Sequence, residues 1–138
     1  MKLRRMVWTA CVVAGGIVPW LTVGTAQADT TVTLTSFINS PVNTCNGSTV
    51  QVEGLQVVEI TTRPDGTQTF VNRLNGTGVG SDGNKYVFNQ VTRGTISGSD
   101  ISITSRTQLI SQGSDPNLLL EFTFTTNPPN TTVTTICR

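Results

Sequence analysis

The sequence predicts an all-β domain: an antiparallel meander of about seven strands that forms a closed or nearly closed β-barrel, with a β-sandwich as the alternative. From residue 31 onward, apolar and polar residues alternate with a period of two, and no helical period appears. Asn, Asp, Gly and Pro separate the segments by short connections, which favours antiparallel neighbours. Threonine supplies 22 of the residues from 29 to 138 and is interleaved with Val, Ile, Leu and Phe, as on the solvent faces of strands.

The alternation predicts seven strands, which span residues 31–38, 48–62, 67–75, 85–93, 101–109, 118–124 and 131–138. In the first strand, Val32, Leu34 and Ile38 share one face. In the second strand the apolar positions change parity just after Gly54, which predicts a bulge or a sharp bend there. A long strand with a bend is what a barrel or a strongly coiled sheet requires.

The middle strands are bounded by turn residues. Arg63-Pro64-Asp65-Gly66 predicts a tight turn before the third strand, because Pro presets φ and Asp-Gly tolerates positive φ. The glycine-rich segment 76–84 predicts a flexible hairpin connection and not a phosphate loop, because a strand follows it. The fourth strand carries apolar residues on both faces, which indicates a central position.

The last three strands follow a turn at residues 94–100, a polar loop at 111–117 and a rigid turn at 127–130. The fifth strand continues the alternation, with Arg106 on the face opposite its apolar residues. The clearest core face of the chain lies in the sixth strand and comprises Leu118, Leu120, Phe122 and Phe124.

An export signal is predicted at the start of the chain. A basic segment is followed by an apolar run over residues 6–23 and by Ala26-Gln27-Ala28, whose small residues suit signal-peptidase cleavage. We therefore expect residues 1–28 to be removed as a signal peptide and residues 29–138 to form one domain. A retained membrane anchor is the alternative. The expected location is secreted, extracellular or associated with the cell envelope, with no membrane contact after cleavage.

The charge of the predicted mature chain argues against one class of partner. Residues 29–138 contain six basic and eight acidic side chains, so the net charge is −2. A weakly acidic surface with scattered cations is a poor match for a phosphate backbone. We expect no binding to nucleic acid.

Cys45 and Cys137 are predicted to form a disulfide, because they are the two cysteines of residues 29–138 and export favours oxidation. Cys45 precedes the second strand and Cys137 lies in the last one. Their bridge would bring the end of the chain to its beginning, as barrel closure requires. An immunoglobulin-like sandwich would need a tryptophan between the cysteines, and this part of the chain has none.

Residues with catalytic potential are few. The chain has no histidine, which excludes Ser-His-Asp and Cys-His nucleophiles and the usual zinc sites. Glu53 and Glu59 would lie roughly 20 Å apart along one strand, too far to act together on one bond. Glu121 faces away from the predicted core, and residues 82–84 offer too few oxygens for calcium. No catalytic residue, metal or cofactor is predicted.

Tyr86, Arg73 and Arg106 are the candidate ligand-binding residues. An arginine beside aromatic rings in the mouth of a barrel would suit a small anionic or aromatic ligand. The alternative is that Tyr86 packs at the edge of the core while the arginines lie on the solvated face.

A resemblance supports this outline. With the terminal cysteine, the chain resembles a group of small secreted bacterial β-rich proteins with no assigned activity, through segments 43–47, 85–89 and 109–114. The resemblance covers nearly all of residues 29–138 and rests on strands and turns. It implies a bacterial, exported β domain closed by a disulfide. In a bacterium the glycosylation sequons at Asn46, Asn75 and Asn130 would be incidental.

Two functions are therefore expected from different classes. The first is a secreted, non-enzymatic β-barrel module that binds a small ligand, a surface polymer or a protein partner. The alternative is a barrel enzyme of the cyclase or dirigent-like type, in which a cavity lined by Tyr86, Arg73 or Arg106 would shape a reactive intermediate.

Overall fold

A computed structural model describes residues 27–138, which form one antiparallel sheet of eight strands. The strands are β1 (Asp29–Asn39), β2 (Val42–Asn43), β3 (Ser48–Thr62), β4 (Gln68–Gly80), β5 (Lys85–Ser97), β6 (Asp100–Ser111), β7 (Leu118–Thr126) and β8 (Pro129–Cys137). Their order across the sheet is β1-β3-β4-β5-β6-β7-β8, and β2 pairs with the start of β3. The predicted signal peptide lies outside the described residues, except for Gln27 and Ala28.

The all-β antiparallel meander is confirmed, but among the described strands the sheet is not closed. β1 and β8 are its two edges and do not pair with each other, so the predicted barrel is not supported. The number of strands gives a physical reason why β1 and β8 do not pair. Seven strands that alternate in direction leave β1 and β8 running the same way. Closure would then need a parallel pair in an otherwise antiparallel sheet, and parallel pairing is slightly less stable.

The predicted disulfide is present and shows that the sheet rolls up at one end. Cys45 follows β2 and is bonded to Cys137 at the end of β8, with 5.7 Å between the two Cα atoms. β3, to which β2 is paired, lies five positions from β8 in the sheet. In a flat sheet these strands would be roughly 24 Å apart. Backbone hydrogen bonds in both directions between Asn117 and Arg138 reinforce the same end.

One face of the sheet, here called the inner face, carries the core at this rolled end. Its buried apolar residues come from β3 to β7 and are Val50, Val52, Leu74, Tyr86, Phe88, Leu109 and Leu118. The strand register places these side chains on a single face, because directly paired residues share a face. The opposite face, the outer face, includes a row of polar side chains that crosses seven strands: Thr30, Thr61, Thr69, Thr95, Ser102, Thr125 and Asn130.

Glycines on the inner face allow the backbones of β3 and β4 to approach each other closely. Gly54 in β3 is paired directly with Gly76 in β4, and a Cβ atom on Gly54 would lie 2.6 Å from the Cα atom of Gly76. The pairing runs through Gly54 without a skipped residue, so the predicted bulge is wrong and close backbone approach accounts for the glycine. The bend that the sequence offered as the alternative to a bulge is consistent with this approach.

Two predicted connections are strand instead. Residues 76–80, expected in a flexible hairpin loop, belong to β4, and the turn is confined to residues 81–84. Gly94, expected in a turn, lies within β5, which continues to Ser97. Two of the three sequons also lie in strands, since Asn75 belongs to β4 and Asn130 to β8.

Candidate functional site

The structure separates the three residues that were predicted to bind a ligand. Tyr86 lies on the inner face and is 1 % exposed. Arg73 and Arg106 lie on the outer face, where both are paired directly with Val91 of β5. The three side chains therefore do not line one cavity.

Tyr86 instead holds together three turns at the rolled end. Its hydroxyl contacts Oδ2 of Asp82 at 2.7 Å and Oδ2 of Asp115 at 2.9 Å. The side-chain amide of Asn46 donates to the same hydroxyl at 3.2 Å. Asn84 donates from its backbone to Asp82 at 2.8 Å and from its side chain to Asp115. These contacts join the turn after β2, the β4–β5 turn and the β6–β7 loop.

The protonation of this cluster follows from its hydrogen bonds. The backbone N–H of Asn84 is the main cause that lowers the pKa of Asp82 to about 2, and the Tyr86 hydroxyl adds to it. Burial, followed by the hydrogen bond to Asp82, raises the pKa of Tyr86. The phenol is therefore neutral at ordinary pH and donates its single proton to one carboxylate at a time. The cluster is a structural tie between turns.

The two arginines form exposed ion pairs on the outer face. Arg73 lies 3.8 Å from Glu59, and Arg106 lies 3.6 Å from Glu121. All four side chains are more than 40 % exposed, so each pair contributes little to stability. This agrees with the alternative that places the arginines on a solvated face.

An open groove of about 650 Å³ lies on the outer face, beside the glycine positions of β3 and β4. Its outer-face lining comprises Ile38, Gln51, Glu53, Thr77, Val79 and Lys85. A second hollow of about 530 Å³ shares Ile38, Glu53 and Thr77 and adds Leu55. We call this combined surface the outer groove. Tyr86 also borders it but is almost fully buried.

The outer groove exposes apolar side chains without intramolecular cover. Ile38 is 85 % exposed, Leu55 is 57 % exposed and Val79 is 53 % exposed. Glu53 and Lys85 are also exposed, and within residues 27–138 neither forms an ion pair. Exposed apolar residues that adjoin one another are typical of interaction surfaces, whereas isolated ones are not informative. The groove therefore presents exposed apolar side chains interspersed with polar ones, together with two available charges of opposite sign.

Sequence reasoning missed this groove. It found that Val32, Leu34 and Ile38 share a face, and the structure places that face on the outside, because Phe37, of opposite parity, is paired with Gly54 on the inner face. The available signal was therefore the single aromatic residue of the first strand. The register with β3 was needed to show which of the two faces is covered.

Two further properties of residues 27–138 bear on ligands. No three His, Cys, Asp or Glu side chains lie close enough together in this part of the chain to hold a metal ion. No helix within these residues has the length and apolar character that a membrane span requires.

Comparison with known proteins adds no relative: no family model, no curated protein and no solved structure matches the chain. The resemblance to small secreted bacterial β-rich proteins stays a prediction. The disulfide itself is typical of an oxidising, extracellular type of environment.

Proposed function

We propose that this protein is an exported, non-enzymatic binding module that takes an extended peptide segment of a protein partner in the outer groove. The observation that carries the proposal is the exposure of Ile38, Leu55 and Val79 along two hollows that share Ile38, Glu53 and Thr77. An apolar surface of this kind, rimmed by polar groups, favours a protein partner. The rolled, disulfide-linked sheet would provide the rigid support for it, and no closed barrel is needed.

A peptide fits this hollow better than the other expected ligands. The groove is open along its length, whereas small-molecule sites bury most of their ligand's surface. Its outer-face lining contains no aromatic side chain on which a sugar ring would stack. An extended peptide presents alternate side chains to a surface, so it would place apolar groups against Ile38 and Val79 and charged groups against Glu53 and Lys85.

The proposal is tested by selecting peptides from a displayed random library on the oxidised, exported protein. We expect enriched peptides in which apolar residues alternate with charged ones. Their affinity should fall at least tenfold on Val79→Asp. The matched control is Val133→Asp, because Val133 is similarly exposed (62 %) but lies on the inner face of β8.

Charge reversal sharpens the test. Selection on a Lys85→Glu variant should enrich peptides with fewer acidic and more basic residues than the wild-type selection does. Failure to enrich any peptide, or equal loss of affinity in the Val79→Asp and Val133→Asp variants, would overturn the proposal. Melting temperatures of both variants show whether the fold is retained.

A further inference from the structure

The free edge of β1 is an unprotected strand. β1 pairs with β3 along all of Asp29–Asn39, and its other edge has no partner strand among the described residues. Between Thr30 and Asn39 the strand contains no charged residue, no proline and no glycine. Natural sheets usually protect an edge with lysine, proline, a bulge or a very short strand. An edge of eleven residues without these devices is suited to pairing with another strand.

The other edge of the sheet is less suited to this role. β8 begins with Pro129, which has no N–H to donate, and its last residue is held by the disulfide. Its outer-face side chains are polar at three of four positions: Asn130, Thr132, Thr134 and Ile136. By contrast, β1 presents Val32, Leu34 and Ile38 on the same face of the sheet, and Leu34 is 64 % exposed.

Strand direction favours pairing of β1 with a second β1. β1 and β8 run in the same direction. If β8 of a second copy were added beside β1, with the inner faces of both copies on the same side of the joined sheet, the two strands would therefore be parallel. A twofold axis perpendicular to the sheet reverses the second copy and makes a β1–β1 pair antiparallel. The same axis keeps the outer face of both copies on one side, so the apolar side chains of both strands adjoin.

We propose that two copies of this chain associate through their β1 edges, as an antiparallel pair that joins their sheets into one. The register that pairs all eleven residues places Leu34 against Leu34 of the second copy, on the twofold axis. In this register Val32 is opposite Ser36 of the second copy. Backbone hydrogen bonds supply the affinity in strand addition, and side chains on alternate positions supply the specificity.

The β1–β1 pair goes beyond the proposed function: Ile38 belongs to both surfaces, but Leu34, the central residue of the pair, does not belong to the groove. Leu34 does not line the outer groove, and the added strand lies beside β1 rather than over the groove. Loss of dimerisation by a Leu34 variant, with peptide binding retained, would separate the two proposals.

The first test is molar mass in solution over a series of protein concentrations, by light scattering on the oxidised, exported protein. We expect the mass to rise to twice that of the monomer. Leu34→Glu should abolish this rise, because two carboxylates would face each other across the axis. Val133→Glu, an equally exposed position on the other edge strand, should leave it unchanged. A monomer at all concentrations, or equal effects of both variants, would overturn the proposal.

The second test addresses the register. Directly opposite residues of an antiparallel pair have Cα atoms about 4.5–5.5 Å apart, within the range of a disulfide. Leu34→Cys should therefore yield a covalent dimer linked through residue 34 on mild oxidation, identified by peptide mass. Ser36→Cys should not, because residue 36 is opposite Val32. The reverse result would overturn the register.

Discussion

Phe37 in the edge strand β1 packs against Phe88 in β5, with 6.0 Å between ring centroids, although two strands lie between them. The intervening positions in this row are Gly54 and Gly76, which place no side chain of their own between the two rings. The contact between the two rings therefore depends on the pair of glycines between them. It ties the edge strand to the buried core of the rolled end.

Gly76→Ala should destabilise the protein, because its Cβ atom would lie 2.5 Å from the carbonyl oxygen of Glu53, which belongs to the backbone and cannot rotate away. We expect a loss of about 1–3 kcal/mol in the free energy of unfolding, measured by denaturant titration. Thr77→Ala, at the adjacent exposed position, serves as the control and should cost less than about 1 kcal/mol. Equal effects of the two substitutions would contradict this account of the glycine.

Replacing both Cys45 and Cys137 with alanine should lower the stability by several kcal/mol. The bridged residues are 92 positions apart, and a loop of that size corresponds to about 4–5 kcal/mol in the chain-entropy model. Removing both sulfurs avoids a free thiol that could pair with another chain. The denaturation midpoint should fall in the double variant, and reductant should lower the wild-type midpoint in the same direction. An unchanged midpoint would contradict the assigned role of the bridge.

Asp82 should make stability depend on pH in the acid range. Its pKa in the folded protein is about 2, below the ordinary value of 3.8, so its ionised form stabilises the fold above pH 4. That contribution is lost as the pH falls from about 4 to about 2. Asp82→Asn should therefore flatten the decline in urea midpoint across this window. Asp65, whose pKa is also lowered, is present in both proteins and provides a common background.

The hydroxyl of Tyr86 should titrate at a higher pH than an ordinary tyrosine. The chain contains one tyrosine, so tyrosinate absorbance reports this group alone. We expect its midpoint in the folded protein above the ordinary pKa of 10.0. The stabilising effect of the neutral phenol is complete below pH 10 and is lost as the pH rises through the raised pKa. A midpoint at or below 10 would contradict burial of the phenol.

Tyr86→Phe tests the same hydroxyl by removal. The variant keeps the ring in the core but removes the hydroxyl that contacts both Asp82 and Asp115, while Asn84 still donates to each of them. Hydrogen bonds to charged groups contribute about 1.5–3 kcal/mol. We expect a loss toward the low end of that range, measured by thermal unfolding, because solvent can reach the carboxylates. No loss would indicate that the hydroxyl does not tie the turns together.

Much of the strand pattern could be predicted from local sequence. The bounds of β3 match the prediction of residues 48–62, because a long alternation is bounded by strong turn residues. The C-terminal parts of β4 and β5 could not be predicted in this way. They contain glycines, and from sequence alone a glycine indicates a turn more often than a strand. Gly76, Gly78 and Gly94 are accommodated there by close contacts with neighbouring strands and side chains, which exist only after folding.

In the candidate site, too, some features could be predicted from local sequence and others could not. Tyr86 was predicted from sequence to pack at the edge of the core, as the alternative to binding a ligand, and the structure places it in the buried core. Its partners Asp82 and Asp115 were not predicted, since they are separated by 33 positions and meet only where the β6–β7 loop reaches the β4–β5 turn. Local spacing carries no information about contacts that depend on how two distant turns are brought together.

The sequence by itself determined an all-β antiparallel meander, its strand parities and the pairing of Cys45 with Cys137. Tertiary structure alone decided that the sheet stays open and that the apolar side of β1 faces solvent. The physical reason is that side-chain alternation specifies which residues share a face. Only the register between strands, and the direction in which the sheet rolls, specifies which face becomes the core.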